Sequence, residues 1–263
     1  MKTFPLLFAL ALSATPAAAS SVVIDFDELA HGTIVNTQYQ AAYGLTISAE
    51  NDQRSFDLAV AFDSEESPTR DPDLEDPWSG GNLPSDTELG GLVIIQENND
   101  GTGDGVADKP DDEGRRPAGR IIFDFENEIS SFGFSLVDVE ADAEQSTGYF
   151  LAAYLGGGVD PVFEMNFIDF AIAPGDADKL AVFNAQAAST WGTPSFGNNT
   201  ANRIIPIGMD FGFISDPFDR VVIGFGGSGA VGDVSFTMVP SPTTFGAALA
   251  LLATTTLRRR VNA

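Results

Sequence analysis

The sequence predicts a single all-β domain, an antiparallel β-sandwich that is jelly-roll-like. Apolar and polar residues alternate with a period of two in many short segments, which is the pattern of strands with one buried face. No long segment keeps a helical period with recognisable caps. Phenylalanine, which suits buried strand faces, accounts for 21 of the 263 residues. We therefore expect roughly ten antiparallel strands in one domain at residues 20–238.

Along the chain, five segments show the alternation most clearly. Their apolar positions are Val22, Ile24 and Phe26; Ile121, Phe123 and Phe125; Phe132, Phe134 and Leu136; Val221, Ile223 and Phe225; and Val234, Phe236 and Met238. Further strands are expected at 45–49, 58–62, 92–96, 149–155, 162–167, 179–183 and 203–211, with glycine and proline in the gaps. A weak helical pattern occurs at 176–188. Two long loops, 63–89 and 98–116, interrupt the strands, and such loops are usually functional or held by ligands.

The acidic balance excludes several classes of partner. The chain has 38 Asp and Glu against 13 Lys and Arg, a formal net charge of −25. Four basic residues stand at the ends (Lys2, Arg258, Arg259 and Arg260), so 9 basic residues face 38 acids between them, a net of −29. Such a surface repels nucleic acid and anionic lipid but attracts divalent cations. With no cysteine and only His31, thiolate sites are absent and a multi-histidine centre is disfavoured.

Residues 1–19 have the organisation of a secretory signal peptide. A positive start at Lys2 precedes an apolar stretch at 4–12 and a small-residue A-x-A sequence at 17–19. We expect cleavage after Ala19 and export of the remaining chain. A short buried helix is the alternative reading of this segment.

The C-terminal tail, residues 239–263, has the organisation of a second targeting signal. Pro240, Ser241 and Pro242 precede a short apolar stretch at 245–257 and then the basic residues Arg258, Arg259 and Arg260. The stretch is short for a stable membrane span, which needs about 20 apolar residues, and the arginines would stay cytoplasmic. This order predicts that the tail anchors the protein transiently in the inner membrane and is processed later. A simple C-terminal anchor or a buried helix is the alternative.

The tail resembles the PEP-CTERM sorting signal of Gram-negative, exopolysaccharide-making bacteria, with Ser241 in place of the usual Glu. The resemblance implies recognition by an exosortase-type processing enzyme, followed by attachment at the cell surface or release. The segments DPDLEDPW, LVIIQENNDGTGDGVADKPDDEGRRPAGRIIFDF and SFGFSLVDVE resemble a secreted β-sandwich module that recurs among PEP-CTERM proteins. That likeness spans about residues 21–238. It implies a surface location and a lectin-like shape, and it supplies no activity.

One acidic loop has the spacing of a calcium site. Oxygen-bearing side chains occupy positions 1, 3, 5, 9 and 12 of a 12-residue stretch, with Gly105 at position 6: Asp100, Thr102, Asp104, Asp108 and Asp111. Carboxylate oxygens suit Ca²⁺, and glycine permits the sharp turn. The segments on both sides have the pattern of strands instead of helices, and position 12 is Asp instead of Glu. We therefore expect an isolated calcium loop rather than a pair of EF-hands. A solvated Asp/Gly turn is the alternative.

Two weaker pairs of acids are further candidates for an ion. Asp71 and Asp73 lie in the other long loop, whose spacing matches no strict template. Asp27 follows the first strand and Asp233 begins the last one, and these strands often lie close in jelly rolls. Surface acids without an ion are the alternative for both pairs.

The sequence as a whole predicts a non-enzymatic, exported cell-surface or extracellular-matrix protein, stabilised by Ca²⁺. Extracellular polysaccharide is the candidate ligand, with Trp78 and Trp191 as the rings that would stack on sugars if exposed; core packing is the alternative for both. A secreted carbohydrate-active hydrolase that uses paired carboxylates is the competing hypothesis. There is no G-x-S-x-G elbow, and serine-hydrolase chemistry would depend wholly on His31.

Overall fold

The computed structural model describes residues 19–139, 150–166, 192, 194–209 and 214–240. The stretch Ser21–Val239 forms one compact unit. The strand expected at 179–183 and the weak helix at 176–188 lie outside the described residues. Among the residues described, no helix is long and apolar enough to cross a membrane.

The described chain is built almost entirely of strands. In chain order they are β1 Ser20–Ile24, β2 Leu45–Asn51, β3 Ala59–Asp63, β4 Gly80–Gly81, β5 Gly91–Ile95, β6 Gly119–Val137, β7 Phe150–Tyr154, β8 Phe163–Asn166, β9 Thr200–Gly208, β10 Phe218–Phe225 and β11 Ala230–Met238. A four-residue helix, α1 Gln40–Tyr43, and a 3-10 turn at Pro72–Leu74 complete the regular structure described. The strands pair in the order β3-β5-β11-β6-β10-β7-β8, with β1 beside β11, β2 and β9 beside β6, and β4 beside β9. Apart from the short parallel pair β4–β9, every pair with a resolved register is antiparallel.

Strand β6 joins the two layers of the fold. Its first part pairs with β2 and β10, whereas its second part, from Ile129 onward, pairs with β11 and β9. The register with β10 shifts between these parts, and residues 126–128 are exposed there. The sequence predicts two separate strands here, which is wrong, because the chain passes from one layer to the other without a turn. The break in alternation at 126–128 marks this crossing.

The main core lies between the two layers. The rings of Phe123 and Phe132, from the two parts of β6, have centroids 5.2 Å apart, and Phe125 lies 4.9 Å from Phe236 of β11. The five segments with the clearest alternation place their apolar residues in this core. Val22 and Met238 lie at its rim, and the others are buried in it. The predicted all-β antiparallel sandwich is therefore confirmed.

A second apolar cluster lies on the opposite face of the β3-β5-β11-β6 layer. Ala61 and Val93 point into the main core, while their neighbours Val60 and Leu92 point the other way. The two long loops cover this outer face, and we call segments 64–89 and 98–112 the outer cover. It contributes four buried apolar side chains to the second cluster: Leu74, Trp78, Leu89 and Ala107. The outer cover also positions the acidic groups described next.

Candidate metal centre

Three aspartates from the two segments of the outer cover meet at one point. Asp71, Asp111 and Asp112 each offer a carboxylate oxygen, and these oxygens lie within 4.8 Å of one another. Asp71 and Asp112 are buried, with 8% and 7% of their surfaces exposed, and Asp111 is half-buried. We call these three residues the carboxylate group. It draws one residue from the first long loop and two from the second.

The 3-10 turn positions Asp71. Its carboxylate accepts a hydrogen bond from the Asp73 backbone N–H at 3.3 Å, which caps the turn, and Pro72 occupies the next position. Asn199 holds the turn from outside, since its side-chain amide donates to the carbonyls of Asp73 and Glu75 at 3.2 and 2.7 Å. The turn is therefore anchored to the start of β9.

A buried glutamine positions Asp111 and Asp112. The Gln96 side chain donates to the Lys109 carbonyl at 2.8 Å and accepts from the Asp111 N–H at 3.1 Å. Gln96 also forms an isolated antiparallel bridge with Asp112. Because Gln96 is fully buried next to β5, it draws the end of the acidic loop inward. The two aspartates consequently face the 3-10 turn.

Two further residues extend the site beneath the carboxylate group. Ser228 donates from its hydroxyl to Asp112 at 2.8 Å or to Asp138 at 2.6 Å, so one serine lies between two carboxyl groups. Asp112 also accepts from the Gly229 N–H. Asp138 accepts from the Asn199 N–H at 2.7 Å and is 1% exposed. Asp138 and Asn199 both have positive φ, 56° and 51°, a region in which Asp and Asn are enriched.

Burial and mutual repulsion make these acids hard to ionise together. Burial, followed by the charges of Asp71 and Glu97, raises the pKa of Asp111 to about 6. Burial likewise raises the pKa of Asp138 to about 7 and that of Asp71 above its usual range. The pKa of Asp112 lies well above its usual range, because of burial first and then the charge of Asp71. Either bound protons or a cation must offset the charge of this site.

Among the described residues, an exposed arginine offsets part of the charge of the carboxylate group. Within the described residues, the ion pair recorded for the carboxylate group joins Arg70 Nε to Asp111 Oδ2 at 3.7 Å. The Arg70 side chain is 57% exposed, so solvent screens most of this attraction.

The geometry of the carboxylate group suits a hard divalent cation. Two oxygens that bind the same Ca²⁺ at ~2.4 Å lie at most ~4.8 Å apart, and the three carboxylates satisfy that limit. Ca²⁺ takes six to eight oxygen ligands, so three carboxylates would leave positions for water or backbone carbonyls.

The fold separates Asp111 from the other four residues that have the calcium-like spacing. Asp100 accepts hydrogen bonds within its own loop, from the Thr102 and Gly103 N–H groups at 3.1 and 2.7 Å and from the Gly105 N–H at 3.1 Å. These bonds, the one from Gly103 foremost, lower the pKa of Asp100. Asp104 accepts from the Val106 N–H at 3.0 Å. Thr102, Asp104 and Asp108 are exposed, and of the five predicted ligands only Asp111 belongs to the carboxylate group.

The weaker acidic candidates have other surroundings. Asp73 is half-buried in the 3-10 turn and its backbone, rather than its carboxylate, contacts Asp71. Asp27 accepts from the Gly91 N–H at 2.9 Å and lines an open pocket of about 170 Å³ with Asp63 and Glu65. Asp233 forms an ion pair with Arg203 of β9. Strands β1 and β11 do pair, yet each of these two aspartates has its own partner.

The remaining predicted residues fall in three places. Trp78 is 2% exposed, and its indole N–H donates to the Thr87 carbonyl at 2.8 Å, so the ring packs in the second cluster and offers no stacking surface. His31 accepts from the Asp63 N–H at 3.1 Å and packs on Phe62, as an ordinary turn residue would. Pro240 is the last residue described. Trp191, Ser241, Pro242, Arg258, Arg259 and Arg260 lie outside the described residues.

Sequence reasoning missed Asp112, Asp138 and Ser228. Asp112 follows Asp111 directly, so the Asp-Asp pair was a visible signal for it. Asp138 and Ser228 are separated by 90 positions and show no motif, so only their spatial contact identifies them.

Comparisons with known proteins assign no family to the chain. No protein-family model matches it, and no curated protein matches it. Among solved structures, the chain is similar to the K2 cleaved adhesin domain of Lys-gingipain, with 13% identity and a TM-score of 0.37. The match covers 83% of this chain and 100% of the adhesin domain. A score this low carries nothing over to fold or function.

Proposed function

We propose that this chain is an exported, non-enzymatic surface or matrix protein whose outer cover is held by a bound Ca²⁺ ion. The observation that supports the ion is the carboxylate group, Asp71, Asp111 and Asp112, with its oxygens within 4.8 Å of one another. The export and sorting part rests on the sequence of the two ends, and an exosortase-type enzyme is the partner proposed for the tail. Extracellular polysaccharide remains the proposed ligand class, without Trp78 as a contact.

The residue chemistry favours Ca²⁺ over softer metals. The carboxylate group provides only oxygen ligands, and the chain has no cysteine and a single histidine. An exported domain without disulfides also gains rigidity from an ion that joins two long loops. The ion would supply the positive charge that Arg70 provides only weakly.

A hydrolase that uses paired carboxylates is the second candidate function. The raised pKa values of Asp112 and Asp138 are a feature of catalytic acids. The oxygens of the carboxylate group, however, lie closer together than the ~5–9 Å separation of glycosidase carboxylates, which favours a shared ion or proton. Release of reducing sugar from a panel of polysaccharides, abolished by Asp112→Asn, would support the hydrolase and contradict the non-enzymatic proposal.

Thermal unfolding of the purified protein with Ca²⁺ and with EGTA tests the ion. An ion at 100 times its Kd that binds only the folded state adds ~2.7 kcal/mol, or roughly 5–10 °C in Tm for a domain of this size. In Asp71→Asn, the amide oxygen can still cap the 3-10 turn, but a charged ligand is lost. We therefore expect the Ca²⁺ response to disappear, while Tm in EGTA equals or exceeds that of the wild type.

Asp104→Asn is the matched control, because Asp104 is an exposed acid of the calcium-like loop outside the carboxylate group. It should keep the full Ca²⁺ response. Loss of the response in Asp104→Asn with retention in Asp71→Asn would place the ion in the 100–111 loop instead. An unchanged Tm for the wild type would contradict the ion altogether.

A further inference from the structure

A short exposed loop connects Glu113 to the start of β6. Its residues, Gly114–Pro117, are all exposed, whereas Glu113 before them and Ala118 after them are each 1% exposed. Both ends are tied to the sheet: the Glu113 N–H donates to the Ile95 carbonyl at 2.9 Å. The Ala118 N–H likewise donates to the Phe225 carbonyl at 3.0 Å. We call Gly114–Pro117 the arginine loop, and exposed loops of this kind are preferred sites of proteolytic cutting.

The arginine loop contains a bond that a trypsin-like endoprotease recognises. Such an enzyme takes an arginine or lysine side chain into an acidic pocket and binds the substrate backbone in an extended form. Arg115 offers that side chain and is followed by Arg116. The next bond leads into Pro117, and its prolyl nitrogen has no hydrogen and a ring that restricts the backbone. The bond between Arg115 and Arg116 is therefore the substrate that the loop presents.

Side-chain hydrogen bonds hold the backbone of the arginine loop. The Arg115 N–H donates to Glu113 Oε1 at 3.1 Å, and Gln53 Nε2 donates to the Pro117 carbonyl at 2.7 Å. Bonds of this kind on an exposed loop open at lower free energy than paired strands. The loop can therefore extend into a protease while β5 and β6 keep their partners in the sheet.

Several other basic residues of the described chain are blocked by their backbone. Lys109 is followed by Pro110, which disfavours that bond for the same reason as Pro117 does. Three arginines lie within strands, whose paired backbone enters a protease only if the sheet opens: Arg120, Arg203 and Arg220.

Arg54 and Arg70 are also poorer sites than Arg115. The Arg54 side chain is 20% exposed and forms ion pairs with Glu97 and Glu113, which compete with an acidic pocket for it. Arg70 is exposed, but the next residue, Asp71, is 8% exposed and caps the 3-10 turn through its carboxylate. Within the described part of the chain, the bond after Arg115 thus best combines an exposed side chain with a backbone that can extend.

A cut at this bond would divide the chain between β5 and β6, but the two pieces are interleaved in space. Strand β2 pairs along Leu45–Asn51 with β6, and β5 pairs with β11. The Asn82 side chain donates to the Arg203 carbonyl at 3.0 Å and accepts from the Arg203 N–H at 2.7 Å. In the main core, the ring of Tyr43 lies 6.1 Å from that of Phe236. Strands of each piece therefore complete the sheet of the other.

We propose that the arginine loop is a processing site at which an arginine-specific, trypsin-like endoprotease cuts between Arg115 and Arg116, and that the two pieces remain one folded sandwich. One water molecule is consumed: the amide C–N bond breaks, Arg115 gains a terminal carboxylate and Arg116 gains a terminal ammonium group. The site goes beyond the proposed function, and neither it nor its test depends on the proposed ion.

Limited digestion of the purified native protein with trypsin, read by mass spectrometry, tests the site. The cut after Arg115 should appear at least ~10-fold faster than a cut after any other basic residue of the described part, because it needs the least opening. Arg115→Gln should abolish it, since Arg116 is followed by proline. Arg70→Gln, a matched change at another exposed arginine, should leave its rate unchanged. A lysine-specific protease should leave the loop intact.

Gel filtration of the cut protein tests whether the sandwich persists. The two pieces should elute together at the volume of the uncut protein and separate on a denaturing gel. Separation under native conditions would overturn the persistence of the sandwich. An uncut loop, an equally fast cut after Arg54 or Arg70, or the same cut in Arg115→Gln would overturn the site. These outcomes leave the Ca²⁺ response of Tm, and with it the proposed ion, to be decided separately.

Discussion

Glu113 is a buried acid that has an arginine as its partner. Its side chain is fully buried beside the carboxylate group's loop, and Arg54 Nε donates to it at 2.6 Å. The Asn51 side-chain amide donates to the same carboxylate at 3.4 Å. Arg54 reaches the half-buried Glu97 as well, so one guanidinium neutralises two acids. A buried carboxylate that keeps its charge depends on such a partner.

Replacing Arg54 should therefore be costly. Arg54→Met keeps the length of the side chain but leaves Glu113 buried without its cation, and we expect a loss of about 3–5 kcal/mol in the free energy of unfolding. Arg120→Met is the matched control, because the partners of Arg120, Glu50 and Asp52, are exposed, and it should cost less than about 1 kcal/mol. Urea denaturation measures both. Equal losses in the two variants would contradict the role given to Glu113.

At the scale of elements, β6 organises the fold. It is 19 residues long and contributes to both layers, so its ends set how the layers meet. Gly119 begins the strand with φ of 138°, opposite Asn51 of β2. A Cβ placed on Gly119 would lie 2.0 Å from the Glu50 carbonyl oxygen, far inside contact distance. Only glycine fits at this position.

Gly119→Ala should accordingly strain the start of β6. We expect a loss of about 3 kcal/mol in the free energy of unfolding, from the unfavourable φ together with the backbone clash. Gly114→Ala provides the control, since nothing lies within 4 Å of a Cβ at Gly114. Its effect should stay within about 0.5 kcal/mol. Comparable destabilisation of the two variants, measured in urea, would refute the close approach of β2 and β6.

At the scale of the whole molecule, the acids that produce the net charge of −25 differ in how far they are exposed to solvent. Exposed acids such as Asp104 and Asp108 are solvated, whereas Asp71, Asp112 and Asp138 are buried. The buried acids hold protons more tightly in the folded state than in the unfolded state. Stability without a bound ion must therefore depend on pH in a defined direction.

The sign follows from Asp138, whose pKa rises from its ordinary value of ~3.9 to about 7 on burial. Between these values the folded protein binds more protons than the unfolded one, so stability is greatest near the unfolded pKa and is lost as pH rises toward 7. One group contributes at most ~1.4 kcal/mol per pH unit. In EGTA, the free energy of unfolding should fall between pH 5 and pH 7.

Asp138→Asn isolates this contribution, because it removes the titrating group while keeping an oxygen for the Asn199 N–H. The fall in stability from pH 5 to pH 7 should be shallower in this variant than in the wild type. Unfolding curves in urea at both pH values give the comparison. Identical slopes for the two proteins would show that Asp138 does not take up a proton on folding.

Much of the strand pattern was predictable from local sequence. The predicted strands at 45–49, 58–62 and 92–96 correspond to β2, β3 and β5 within two residues at each end. β3 and β5 are apolar runs buried on both faces, whereas β2 alternates, and in each case the signal lies within the segment itself. Helix α1 was missed, since four residues are too few to show a helical period.

The candidate site was predictable only in part. Spacing singled out Asp111, but it grouped Asp111 with Asp100, Asp104 and Asp108, and Asp71 was only a weaker candidate from the acidic character of its loop. Asp100 instead binds the N–H groups of its own turn, which compete for the same carboxylate oxygens. A spacing rule describes one loop at a time, whereas the carboxylate group joins two loops 40 positions apart.

The sequence by itself determined the class of the fold, the apolar face of most strands and the strongly acidic character of the protein. Each of these follows from the type and order of neighbouring residues. Only the tertiary structure decided that β6 serves both layers, that Trp78 is buried under a loop and that Asp71, Asp112 and Asp138 gather around one place. The physical reason is that burial and charge proximity depend on distance in space, and long loops bring together residues whose separation along the chain carries no signal.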